Sequence, residues 1–184
     1  MSARAEGGLL EIIKSDHERI ATGNSSLVSI AMTYLRKRHF RPIVSYRICR
    51  WIKKNPSFIS RIFYPFFRII HRFNCGALCM ELPVNCEIGE GLRVFHGYGL
   101  VVNDGVKIGR SVTLMHHVTI GSNGKGVPVI GDGVEIGTHS VVIGPIRLGE
   151  RCVIGAGVVI VKDVPAQSIV VGEKPRYLNE KKRY

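Results

Sequence analysis

Between Ile20 and Met80 the chain has no aspartate or glutamate, although eleven lysines and arginines fall there, so those cations have no ion-pair partner within their own segment. No apolar run approaches the roughly 18 residues of a membrane-crossing helix, and none is expected. Five cysteines without regular pairing in 184 residues exclude a disulfide framework and point to a reducing, cytoplasmic compartment. The opening MSARAEGGLLEIIKSDHERI contains acidic residues and no long apolar core, so it is not read as a signal peptide. His71, Cys75 and Cys79 stand at helical spacing, but no fourth ligand matches them, and no metal is expected. Lys125-Gly126 lacks the flanking pattern of a phosphate-binding P-loop. A hydrophobic content of 45% excludes a disordered chain despite a formal charge of +12.

What is present divides into two grammars. The basic part is poor in glycine and rich in aromatics (Phe40, Trp51, Phe58, Phe63, Phe66, Phe67 and Phe73), and it predicts helices near 8–21, 26–39, 42–54 and 57–73. Pro42 starts the third of these, and Pro65 predicts a kink or a late start in the fourth. Residues 1–80 are thus read as a basic α-helical region, 81–177 as a repeat domain and 178–184 as a basic tail.

The repeat has a period of six. Val102, Ile108, Leu114 and Ile120 are followed, after a ten-residue step, by Ile130, Ile136, Val142, Leu148, Ile154 and Ile160. All ten positions are aliphatic, and glycine follows six of them, as at Gly109, Gly131 and Gly155. Six residues are too few for a hairpin or a helix but suit one face of a three-sided parallel β-helix. In such a coil the aliphatic side chain points inward, and glycine is expected at the corner, where positive φ is cheap. Cys152 falls in register and reads as core.

The rhythm breaks twice. Ile88 to Val102 is two residues too long, with the excess near FHGYGL, and Ile120 to Ile130 is four too long, which predicts a projecting loop at SNGKGVP. Insertions in a solenoid project from the coil and carry specific contacts. His96 and His116 each lie two residues after an inward aliphatic, Val94 and Leu114, and are expected one above the other on successive coils. His117 is expected to point the other way, inward or toward an adjacent chain, and His139 to be a surface or inter-chain residue.

The hexapeptide rhythm resembles that of the left-handed β-helix acyltransferases. EIGEGLRVFHGYGLVVNDGVKIGRSVTLMHHVTIGSNGKG and the tail IGAGVVIVKDVPAQSIVVGEKPR resemble serine acetyltransferases. HGYGLVVN and VVGEKPR resemble more closely the acetyltransferases of colanic-acid and capsular-polysaccharide biosynthesis. The resemblance covers about half the chain. It implies acetyl transfer from acetyl-CoA to a hydroxyl, with His96 as general base, Glu81 as the carboxylate that orients it, and a site between two chains of a homotrimer. Imidazole suits the task, because its unperturbed pKa of about 6.5 lets it accept a hydroxyl proton near neutrality.

The same resemblance assigns the acetyl-CoA groove to Gly121, Asn123 and Lys125 of the glycine-rich loop, to the small residues Ser140 and Ala156, and to Lys162, Lys174 and Arg176 for the phosphates. His116 and His117 are assigned to the acceptor. The chain departs from the serine enzymes at two places: Phe95 replaces their aspartate, and Gly126, Val127 and Pro128 replace their Arg-His-Pro run. Both missing groups would meet the charges of an amino acid, so a glycan acceptor is favoured over serine. Serine O-acetyl transfer for cysteine synthesis and an inactive hexapeptide scaffold remain the alternatives. The basic helices admit three readings: a solvated cap on the open end of the solenoid, a peripheral contact with the inner face of an anionic membrane, or nucleic-acid binding. No recognised motif supports the last, and no nucleic-acid partner is expected.

Overall fold

The computed structural model describes residues 8–21 and 25–173. Four helices come first: α1 (Leu9–Glu18), α2 (Leu27–Arg36), α3 (Phe40–Lys54) and α4 (Phe58–Gly76). Ser26 and Ser57 cap α2 and α4 by accepting from the N–H of Ser29 and Ser60. Pro42 lies in the first turn of α3, where a missing N–H leaves no bond unmade. The late start expected of α4 does not occur, because the reciprocal Ser57–Ser60 bonds fix its first turn and the helix continues through Pro65.

The remainder is a solenoid of short parallel strands. In chain order they are β1 (Glu87–Ile88), β2 (Arg93–Val94), β3 (Val101–Val102), β4 (Lys107–Ile108), β5 (Thr113–Leu114), β6 (Thr119–Gly121), β7 (Val129–Ile130), β8 (Glu135–Ile136), β9 (Val141–Ile143), β10 (Arg147–Leu148), β11 (Val153–Ile154), β12 (Val159–Ile160) and β13 (Ile169–Val170). They stack into three faces, β1-β4-β7-β10, β2-β5-β8-β11-β13 and β3-β6-β9-β12, making about four turns. All ten aliphatics of the six-residue register are buried, none more than 6% exposed, and Cys152 is buried among them.

The structure corrects the role assigned to the repeat glycines. Left-handed φ belongs to other columns, two residues before each strand of the second face (Gly91, Ser111, Gly133, Arg151 and Gln167, at φ 55–74°) and of the third (Gly99, His117, His139 and Gly157, at φ 56–69°). A Cβ on Gly109, Gly131, Gly137 or Gly149 would instead stand 2.3–3.0 Å from backbone atoms one coil on. These glycines are there because successive coils approach too closely for a side chain.

The helices cap the first coil and share one continuous core with the solenoid. A buried ion pair fastens them. Arg47 donates to both Asp16 oxygens at 2.8 and 3.0 Å and to the carbonyls of Ile88 and Gly89 at 2.6 Å, while Asp16 also accepts from the Leu92 N–H. The Tyr46 hydroxyl donates to the Cys86 carbonyl at 2.7 Å. His71 meets Ser45 Oγ and the Leu82 carbonyl through its two ring nitrogens, so neither is free for a ligand.

Candidate active site

The two-residue insertion reshapes the corner between the second and third faces of the first coil. Phe95 N–H still donates to the Leu114 carbonyl, but His96, Gly97 and Gly99 then take left-handed conformations, at φ 63°, 65° and 61°. Such a backbone is unfavourable for a non-glycine residue and persists where the surroundings fix it. Here the Gly99 N–H is held by the Leu78 carbonyl and the Tyr98 carbonyl by the His117 N–H. The result is an exposed imidazole at position 96 on a rigid corner.

Strand register places His116 beneath His96, as the spacing predicts (Val94 pairs with Leu114), and the two rings meet edge-on with centroids 5.9 Å apart. His117 does not turn inward. It is exposed, lies 5.7 Å from the His116 ring and stacks on His139, one coil further on, at 4.7 Å and 13° between planes. His139 also meets His116 edge-on. Four imidazoles therefore form one ladder down this corner. A Cβ on Gly99 would come within 2.4 Å of His117 Nδ1, so that glycine makes room for the ring.

His116 is pushed below the usual imidazole range by burial first and then by His117, His139 and His96, and its Nδ1 is buried with no hydrogen-bond partner among the described residues. His39, just before α3, is pushed down by burial, Lys37 and His96. A neutral imidazole with an open nitrogen is the form that accepts a proton or a hydroxyl hydrogen bond.

Below the ladder the corner column shrinks to Ala156 and Gly157, which are exposed. Strand pairing puts this column three coils from His96, about 14 Å along the axis at the usual strand spacing. The third face lies beside it, with Val101, Thr119, Val141 and Val159 directed outward. Gly121 ends β6, one of the two inner strands of this face. Unlike the other register glycines, it would carry a Cβ with nothing nearer than 3.7 Å, so the coil does not require it to be glycine. Its bare backbone leaves the face open. The predicted loop follows immediately: Asn123 and Lys125 are exposed, and Asn123 Oδ1 accepts from the Lys125 N–H at 3.0 Å. Lys162 is exposed on the same side of the third face, two coils down.

Ser140 departs from its assigned place in the groove. Its side chain is buried, donates to the Gly155 carbonyl at 2.7 Å and accepts from the Val158 N–H, so it holds the interior of the corner. Lys174 and Arg176 lie outside the described residues. Glu81 begins the third face through a bridge to Val101, and its exposed carboxylate makes no hydrogen bond to His96 in the single chain. Two concavities, of about 410 and 580 Å³, are lined by Glu90, Arg110 and Asp132 and by Arg68, Arg72 and Glu81 respectively; neither contains His96.

Sequence reasoning missed the part of His139 in the ladder. The arithmetic that aligns His96 with His116 also finds it, because His117 to His139 is one 18-residue coil plus the four-residue insertion. His39 gave no comparable signal, since the packing of α3 alone brings it beside His96.

Comparison with known proteins places this arrangement. Residues 128–162 match the family described as "Bacterial transferase hexapeptide (six repeats)". The chain is 35% identical over 143 residues to the "Putative colanic acid biosynthesis acetyltransferase WcaB" of Escherichia coli, covering 73% of this chain and 86% of the relative. Soybean serine acetyltransferase complexed with serine shares the architecture at a TM-score of 0.74 and 28% identity, over 91% of this chain and 68% of the other. Brucella abortus serine acetyltransferase in complex with coenzyme A does so at 0.73 and 25%, over 92% and 67%. The solenoid is the left-handed β-helix of these structures.

Proposed function

The chain belongs to the hexapeptide-repeat acetyltransferases, and from that premise we propose that it transfers the acetyl group of acetyl-CoA to a sugar hydroxyl in surface-polysaccharide assembly, with His96 as general base. The observation that carries this reading is the exposed His96 ring, fixed at the head of an open corner and edge-on to His116, whose Nδ1 is buried without a hydrogen-bond partner among the described residues. The acceptor oxygen attacks the thioester carbon while His96 takes its proton. The tetrahedral intermediate collapses, the CoA thiolate leaves, and the imidazolium returns the proton to it, so no covalent enzyme intermediate is required. His116 and His117 border the acceptor position. Gly121, Asn123, Lys125, Ala156 and Lys162 flank the path of the acetyl-CoA chain, with the two lysines available to its phosphates.

Phe95 and the run Gly126-Val127-Pro128 offer no charge to an ammonium or a carboxylate, whereas a neutral sugar asks for none. Phe95 is instead covered by the Arg93 guanidinium, 4.6 Å from the ring centroid. A single three-sided coil leaves the corner open on its outer side. We therefore place the working site between copies of the chain in a homotrimer, where Glu81 has a second route to an imidazole. The serine-bound soybean relative supports a second reading, serine as acceptor.

CoA release from acetyl-CoA, measured against a panel of nucleotide-linked and lipid-linked sugars and against serine, tests the assignment. Turnover with a sugar and none with serine is the expected result. Serine turnover at ordinary enzyme rates overturns the glycan acceptor. No turnover and no CoA binding with any acceptor returns the chain to the scaffold class.

A further inference from the structure

Helix α4 has a second apolar face that no other described residue covers. Its inner side, with His71 and Cys75 buried, packs on α3. On the outer side Phe58, Ile62, Phe66, Ile69 and Phe73 recur at steps of four, four, three and four, which places them in one row. Ile59 and Phe63 widen that row, and the seven side chains are from 53% exposed at Phe63 to 81% at Phe58. Arg61, Arg68 and Arg72, all exposed, run along one edge of it. Trp51 and Lys53 are exposed near the end of α3. Single exposed apolar residues are ordinary, but a continuous row of this length marks an interaction surface.

We propose that this face of α4 docks on an anionic lipid bilayer. The helix lies flat in the headgroup layer, with its phenylalanines and isoleucines in the acyl boundary and its arginines on the lipid phosphates. The geometry suits a surface rather than a crossing. The helix is 19 residues, about 28 Å long, and no helix of the described residues is long and apolar enough to span a membrane. Charge selects the occupant. A second copy of the same face would bring two rows of arginine together, with no acidic residue between Ile20 and Met80 on either copy to answer them. An anionic bilayer supplies both the apolar layer and the countercharge. The docked face also lies at the catalytic end of the coil, because α4 leads directly into Leu78, whose carbonyl holds Gly99 beside His96. Vesicle binding is read without any acceptor, so its outcome is separate from that of the acetyl-transfer reading.

The test is flotation of the full chain with vesicles of equal parts phosphatidylcholine and phosphatidylglycerol, against phosphatidylcholine alone. The chain is expected to float with the anionic vesicles only and to be released by about 1 M salt, where screening acts within about 3 Å. Ile62→Asp with Phe66→Asp is expected to weaken binding by about a hundredfold or more. Arg68→Ser with Arg72→Ser is expected to weaken it by about thirtyfold. Circular dichroism and CoA binding of both variants should match the parent, which separates loss of docking from loss of fold. The proposal is overturned if the parent chain does not float, or if either pair of substitutions leaves flotation unchanged. It is also overturned if the parent stays unbound and the aspartate pair lowers the mass of the particle in solution, which would make the face a contact between copies.

Discussion

In the helical half, side chains find partners far away in sequence: Asp16 with Arg47, Tyr46 with Cys86, and Arg19 with Ser111 and Thr113. In the solenoid, the strand backbone pairs with its counterpart one coil away, and the same aliphatic position is filled ten times over. The first design rests on a few polar contacts that nothing duplicates. The second rests on many equivalent ones, and it can carry insertions as long as the inward register resumes. That is where the proposed chemistry falls: His96 on the first insertion, and Asn123 and Lys125 on the second.

The sharpest way to separate the regions is to damage each at its own critical point. His96→Ala lies on an exposed corner and should leave thermal unfolding unchanged while acetyl transfer falls by about 10²–10⁴-fold. Arg47→Met leaves Asp16 buried without its partner. It should cost about 3–5 kcal/mol in denaturant unfolding, with hydrogen exchange rising first in α1 and α3 and at Leu92. Within the solenoid, Gly137→Ala drives a methyl to 2.7 Å from the backbone of the next coil and should cost about 1–3 kcal/mol. Gly121→Ala meets nothing closer than 3.7 Å; it should keep full stability yet raise the KM for acetyl-CoA. Equal destabilisation by these two alanines would remove the argument that Gly121 is kept open for the acyl donor.

A smaller effect depends on pH. His17, bonded to Ser25 and Thr33, and His71 are both pushed below the usual imidazole value, burial being the main cause. The unfolded chain therefore binds more protons below about pH 6.5, and stability present above that pH falls as the medium is acidified toward the folded-state values. His71→Asn should flatten the acid side of a stability–pH curve measured by denaturant unfolding of the whole chain. An acid side left unchanged by His71→Asn would contradict this.

The strands were largely legible because a six-residue period is a local signal repeated ten times, and both insertions showed as errors in a count. The pairing of His96 with His116 followed from the same count. The reason for the repeat glycines was not legible, since the clash that excludes a side chain comes from a coil about 18 residues on rather than from the glycine's own φ. Ser140 looks like any small residue of the groove until its bonds to Gly155 and Val158 are seen. The Asp16–Arg47 pair, 31 residues apart, leaves no periodic trace. The resemblance supplied Glu81 as a partner for His96, and the single chain does not join them.

The most direct test of the account is a crystal structure of the chain with coenzyme A. The account predicts that the thiol sulfur reaches the corner of His96, its own or a neighbouring copy's. One alcohol oxygen, about 3 Å from the imidazole nitrogen and from the acyl carbon, should then fit between them. A coenzyme whose sulfur ends on another face of the coil, or a His96 ring walled off from it by a neighbouring subunit, would contradict it.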